Sequence, residues 1–328
     1  MWDFSNPLSE KDQANARNIA KFHYGLDVEP LGCITHLQDP TMGITPHILV
    51  QDKHGEKHIL HTRYAELSEE AYQIGQKGFA AYKKEALSVQ KLQRNTDDNF
   101  ITSIMSPTGG KHYAYLTNYV ETEPSDPLNG NISYAELGKT VGIMRRVGLE
   151  IAEKDPAFTR QIKSYTDETA TLLYKHGFSA ISEQPQDHEE TLKTLREWPE
   201  FMALIKGEDV PRFINHFNGQ PRGIMARPDG KAHITSLATL SRGSAVNPAD
   251  GISYDFAQVG GRIIVPGQTL DPKNLPESLT EYMNAYAKET GAEITPENTA
   301  LALQRVQAQN ALIGHGVKRL IELTPGLQ

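Results

Sequence analysis

Cysteine is nearly absent: Cys33, inside "PLGCITHL", is the single thiol of 328 residues. One thiol excludes a disulfide framework within the chain and any multi-cysteine zinc site. In an apolar run it reads as a small core residue rather than a nucleophile. An excess of positive charge is missing too. The formal net charge is −8, which argues against nucleic acid or an anionic membrane as partner, since both call for a basic surface. No apolar run approaches the ~18–20 residues of a membrane span. The opening "MWDFSNPLSEKDQANARN" lacks the basic-then-apolar layout of a signal peptide. The expectation is a cytoplasmic protein. Internal repeats and low-complexity segments are absent. So are a phosphate loop, a dinucleotide fingerprint and a G-x-S-x-G elbow. The glycines of "TMGIT" and "SPTGGK" match none of these, and "PTGGKHY" reads as a hairpin turn.

What is present is an ordinary globular composition, 38% hydrophobic and 23% charged, at a length that suggests two lobes. Ser9 and Asp12 open a short helix ending near Gly25 with a capping-box-like start. Three strand-like runs follow, 31–38, 46–52 and 57–64, the last two separated by the turn "KHGE"; together they read as an antiparallel meander. Helical spacing then runs from Leu67 to about Gln93, with Gly75 and Gly78 as weak points. Two further strand-like runs, 99–106 and 112–120, precede the turn-rich linker "ETEPSDPLNGNIS". Beyond it the pattern is mainly helical. Ser133 and Glu136 form a second capping box, and helical patterns lie at about 156–176 and 188–206. Helices beginning near 276 and 295 close the chain, the latter with Thr295, Pro296 and Glu297 as its start. The expected fold is α+β and two-lobed, with a β-rich first lobe at 1–122 and a mainly helical second lobe at 123–328.

His54, His58 and His61 cluster in "HGEKHILH", but alternation along a strand sends His58 and His61 to opposite faces. No Glu or Cys completes a recognised zinc pattern, so no metal is expected there. The acidic "EQPQDHEE" (183–190) reads as a solvated loop.

A β lobe, a linker and a helical lobe make the layout of kinases. Such enzymes hold phosphates with a basic residue on the third strand, paired with a helix glutamate. His61 or Arg63, and Glu85, are the corresponding candidates for cofactor binding. In the second lobe the stretch 213–240 includes "HFNGQPRGIMARPDGK". It resembles the catalytic loop of the aminoglycoside phosphotransferase and choline kinase family of small-molecule kinases, which runs roughly H-G-D-x-x-P-x-N, then two apolar residues and a turn. His216, Pro221, Ile224 and Met225 match, and "RPDGK" supplies the turn. "SYDFA" is similar to the family's Y-D-L-A, with Asp255 as its aspartate. "YAKETGAEIT" and "YAELGKTVGIMRRV" resemble two of its helix signatures, so the resemblance covers most of the chain.

The departures fall on the chemistry. Asn218 stands at the position of the catalytic aspartate, Gly223 at that of the metal-binding asparagine, and Ser236 at that of the second metal-binding aspartate. An asparagine cannot take the proton, and neither glycine nor serine replaces a magnesium ligand. The resemblance therefore implies a pseudokinase-like member with no resident cofactor, acting by binding a small ligand or a protein partner. Two alternatives stay open. One is an active divergent phosphotransferase on a small-molecule hydroxyl, using ATP and Mg²⁺ with Asp250 or Asp255 rebuilding the metal site. The other is a purely structural or interaction protein.

Overall fold

The computed structural model describes residues 4–34, 47–63, 69–105, 110–157, 165–208, 212–216, 223–235, 240–244 and 277–323. Two compact units divide the chain. The first comprises Met1–Ser125 and Ile224–Ala238, the second Asp126–Gly223 and Thr239–Gln328.

In the first unit, helix α1 (Glu10–Tyr24) begins where Ser9 Oγ accepts the backbone N–H of Asp12 and ends at Gly25 in the left-handed region. Strands β1 (Val28–Cys33), β2 (His47–Asp52) and β3 (Lys57–Arg63) follow, then helix α2 (Glu69–Lys84), the short β4 (Ser88–Val89), β5 (Ile101–Met105), β6 (Lys111–Asn118) and β7 (Glu123–Pro124). Five of these strands form an antiparallel sheet in the order β1-β2-β3-β6-β5. Alternation gives that sheet two apolar faces. Ile48, Val50, Leu60, Ala114 and Leu116 line one of them and are covered by Ala16, Ile19 and Tyr24 of α1. The Tyr24 hydroxyl reaches past them to donate to the Phe100 carbonyl at 3.1 Å. Near the N-terminus of α2, the Glu69 carboxylate accepts the backbone N–H groups of Phe100 and Ile101 at 2.8–3.0 Å, tying that helix to the start of β5.

The helical reading of 67–93 is too long. The helix stops at Lys84, and β4 then pairs in parallel with β10 (Ala232–Ile234), which returns antiparallel to β9 (Ile224–Ala226). A second sheet results, ordered β4-β10-β9-β7. The linker reading of 121–133 is corrected in the same way, because β7 lies within it and pairs with β9. Periodicity could not reveal either strand: each is two residues long and is fixed by a partner more than a hundred positions away.

The second unit holds helices α3 (Tyr134–Lys154), α4 (Tyr165–Ser182), α5 (Glu189–Arg196), α6 (Pro199–Lys206), α7 (Glu277–Thr290) and α8 (Pro296–Leu323), with a ribbon of β8 (Arg212–His216) and β11 (Leu240–Ser244). Ser133 caps α3 by accepting the N–H of Glu136 at 3.0 Å. Thr295 caps α8 through the N–H of Asn298 at 3.1 Å. The helical pattern read at 188–206 is two helices, because Trp198 leaves helical geometry and Pro199 opens the next one. Trp198 and Phe201 pack with Ile181, Leu192, Leu195, Ala308 and Leu312 into one core cluster. Glu189 and Glu190, the end of the acidic run, lie in the first turn of α5, where the helix dipole favours them. Among the described residues no helix is long and apolar enough to cross a membrane.

Candidate functional site

Strand β3 carries two of the candidate residues. His61 is buried and paired with His47 of β2, the partner that a hairpin turning near His54 places opposite it. The two Nδ1 atoms lie 2.9 Å apart, so one ring donates and the other accepts. On its other side, His61 Nε2 lies 2.9 Å from the Thr117 hydroxyl of β6. Tyr115 stacks on the His61 ring at 4.4 Å between centroids, and Tyr72 of α2 meets Tyr115 edge-on. Burial, followed by the charges of His47 and Arg63, holds the His61 pKa well below the ordinary histidine value. The ring is a neutral member of a buried hydrogen-bonded chain, which is poor equipment for gripping phosphate.

Arg63, two residues on, ends the strand and is exposed. With Lys57 at the start of the strand, it is one of two cations that β3 presents to solvent. Glu85 lies just past the last residue of α2, in a turn where its N–H donates to the Tyr82 carbonyl. Glu69 and Glu70 lie in the first turn of that helix, and the Glu69 carboxylate is engaged by the backbone N–H groups of Phe100 and Ile101 at the start of β5.

The described residues of the stretch 213–240 include short strands. His216 closes β8, with its backbone opposite Leu240 of β11. Gly223 is buried and immediately precedes β9. The "RPDGK" turn forms as the sequence indicates. The N–H of Gly230 donates to the Arg227 carbonyl, and the N–H of Lys231 donates to Asp229 Oδ1 at 3.2 Å. Asp229 also pairs with Arg227 at 3.0 Å, so the one carboxylate of the stretch is committed to the turn. Asn218, Ser236, Asp250 and Asp255 lie outside the described residues.

Sequence reasoning missed another buried histidine, His233 of β10. Its Nδ1 lies 2.8 Å from the Ser88 hydroxyl of β4. Burial, and then the charge of Arg227, lower its pKa to about 4. Pairing between β4 and β10 was the missing information.

The chain matches no protein-family profile and no curated protein sequence. Solved structures do match, over nearly the whole chain. An amicoumacin kinase in complex with AMP-PNP and Ca²⁺ superposes with a TM-score of 0.56 at 14% identity, covering 94% of this chain and 86% of that one. A spectinomycin phosphotransferase in complex with ADP and spectinomycin gives 0.54 at 11%, covering 95% and 88%. A macrolide 2′-phosphotransferase from Brachybacterium faecium gives 0.52 at 13%, covering 97% and 95%. The fold is kinase-like. It is α+β, with a sheet-rich first unit and a mainly helical second unit, as in these small-molecule kinases. At such identities the likeness carries the fold; the substrates and nucleotides belong to those proteins.

Proposed function

We propose that this kinase-fold protein no longer transfers phosphate and acts by binding a small ligand or a protein partner. The observation that carries the reading is the substitution pattern of the catalytic-loop-like stretch. Asn218, Gly223 and Ser236 stand where the resemblance calls for the base and two metal ligands. Phosphoryl transfer rests on positioning and on metal charge, and a positioned base alone contributes a factor of ~10²–10⁴. The buried, neutral His61 supports the reading from the first unit. A protein partner has some support from the end of α8, which exposes Val317, Ile321 and Leu323.

Isothermal titration of the full chain with ATP and Mg²⁺, run beside an ADP-release assay on hydroxyl substrates, tests this. Weak or absent nucleotide binding without turnover is expected. Submicromolar, metal-dependent binding accompanied by turnover would overturn it. Arg63 favours the second reading, an active divergent phosphotransferase with a permanent cation on the third strand and Asp250 or Asp255 as metal ligand. On that reading ATP and Mg²⁺ are required, and Asp250→Asn or Asp255→Asn abolishes turnover.

A further inference from the structure

The hairpin between β2 and β3 brings two carboxylates to a histidine that its strand has buried. Asp52 ends β2. Its Oδ1 accepts two backbone N–H groups of the turn, from His54 and from Glu56, each at 2.9 Å. These bonds fix the carboxylate and leave Oδ2 facing Nε2 of His58 at 3.6 Å. That separation is too long for a hydrogen bond. His58 is only 4% exposed, yet neither of its ring nitrogens has a hydrogen-bond partner. An unsatisfied buried polar group costs ~1–3 kcal/mol, so two on one ring call for an explanation. Glu56, exposed at the end of the turn, completes the group. One ligand atom from each of Asp52, Glu56 and His58 lies within 4.8 Å of the others.

A tetrahedral zinc ion, with bonds of ~2.0–2.2 Å to nitrogen and oxygen, places its ligands about 3.4 Å apart. The Asp52–His58 separation is already close to that edge. The exposed Glu56 side chain is free of core packing and can close the remaining distance. We propose that Asp52, Glu56 and His58 form a binding site for a divalent transition-metal ion of the zinc class, with water as the fourth ligand.

The chemistry fits at two points. One imidazole with two carboxylates is a borderline ligand set, suited to zinc rather than to calcium or magnesium, which prefer all-oxygen shells. The two turn N–H groups on Asp52 Oδ1 act as the outer shell that orients a metal carboxylate. Taken as a trio of histidines, His54, His58 and His61 gave no metal site, and His61 is indeed engaged elsewhere, with His47 and Thr117. The site uses one of the three together with carboxylates contributed by the turn.

Titration of the full chain with ZnCl₂ in a non-chelating buffer near neutral pH tests the site. The expected result is one zinc per chain, with the affinity lowered at least ~10-fold in Glu56→Gln and in His58→Ala and unchanged in His54→Ala. Glu56 is exposed, so Glu56→Gln stays informative even where His58→Ala folds poorly. Zinc should also raise the thermal midpoint of the wild type and not that of Glu56→Gln. No binding at zinc concentrations well above micromolar overturns the site, and so does an affinity lost in His54→Ala while retained in Glu56→Gln. Either result would leave His58 as the partner of Asp52 alone.

Discussion

His61 and His233 show how burial decides what a histidine does. Each sits on a strand, is hydrogen-bonded to a hydroxyl, and has its pKa lowered chiefly by burial. In the folded protein His233 binds a proton only near pH 4, whereas an unfolded histidine does so at about 6.5. The unfolded state therefore takes up more protons throughout that window, and stability falls as the pH is lowered from about 6.5 towards 4. His233 alone contributes a slope of ~1.4 kcal/mol per pH unit there. His233→Gln, which keeps a hydrogen-bonding group beside Ser88 but cannot titrate, should show a shallower loss between about pH 7 and 5 in urea unfolding. Identical pH profiles for the two proteins would remove His233 from the account. The same residue scale explains Asp229: its carboxylate caps a turn and pairs with Arg227, so it is not spare for catalysis.

At the scale of elements, the second unit depends on helices that approach closely. Gly138 of α3 has no room for a side chain, because a Cβ there would sit 2.2 Å from the Tyr282 carbonyl of α7. Tyr282 and Tyr286, stacked in parallel on α7, are buried on this side. Gly138→Ala should destabilise the protein by ~1–3 kcal/mol, the usual cost of overpacking. Gly314 of α8 supplies the control, since a Cβ there meets nothing within 4 Å. Gly314→Ala should be neutral or stabilise by ~0.5–1 kcal/mol through helix propensity. Urea midpoints of the two variants check the contrast. Equal effects would mean that the α3–α7 approach is not the constraint.

At the scale of the whole molecule, the division into units does not follow the chain. The sequence suggests lobes of 1–122 and 123–328. In the structure Ile224–Ala238 returns to the first unit and supplies β9 and β10, the partners of β7 and β4. Ile224, Met225, Ala226, Ala232 and Ile234 are all buried there. A fragment of residues 1–125 lacks this hairpin and leaves apolar surface and strand edges open. It should aggregate or unfold at a lower denaturant concentration than the same fragment joined by a short linker to residues 224–238. Equal stability of the two fragments in size-exclusion chromatography and urea titration would show that the hairpin is dispensable to the first unit.

Local chemistry determined what was legible in the sequence. The caps at Ser9, Ser133 and Thr295, the hairpin turn at 227–231 and the final two helices were readable because each depends on residues a few positions apart. The kinase-like class was readable from the order of those elements and from a stretch that resembles the catalytic loop of small-molecule kinases. Tertiary structure decided the rest. It decided that α2 stops at Lys84, because β4 is recruited by a strand from far along the chain. It decided that His61 is a neutral buried ring, because His47, Thr117 and Tyr115 converge on it across three strands. It also decided that Asp52 and Glu56, rather than the neighbouring histidines, face His58. Spacing along a chain records which residues lie near one another in sequence; burial and cross-strand partners, which set their charge and reactivity, exist only once the sheets have closed.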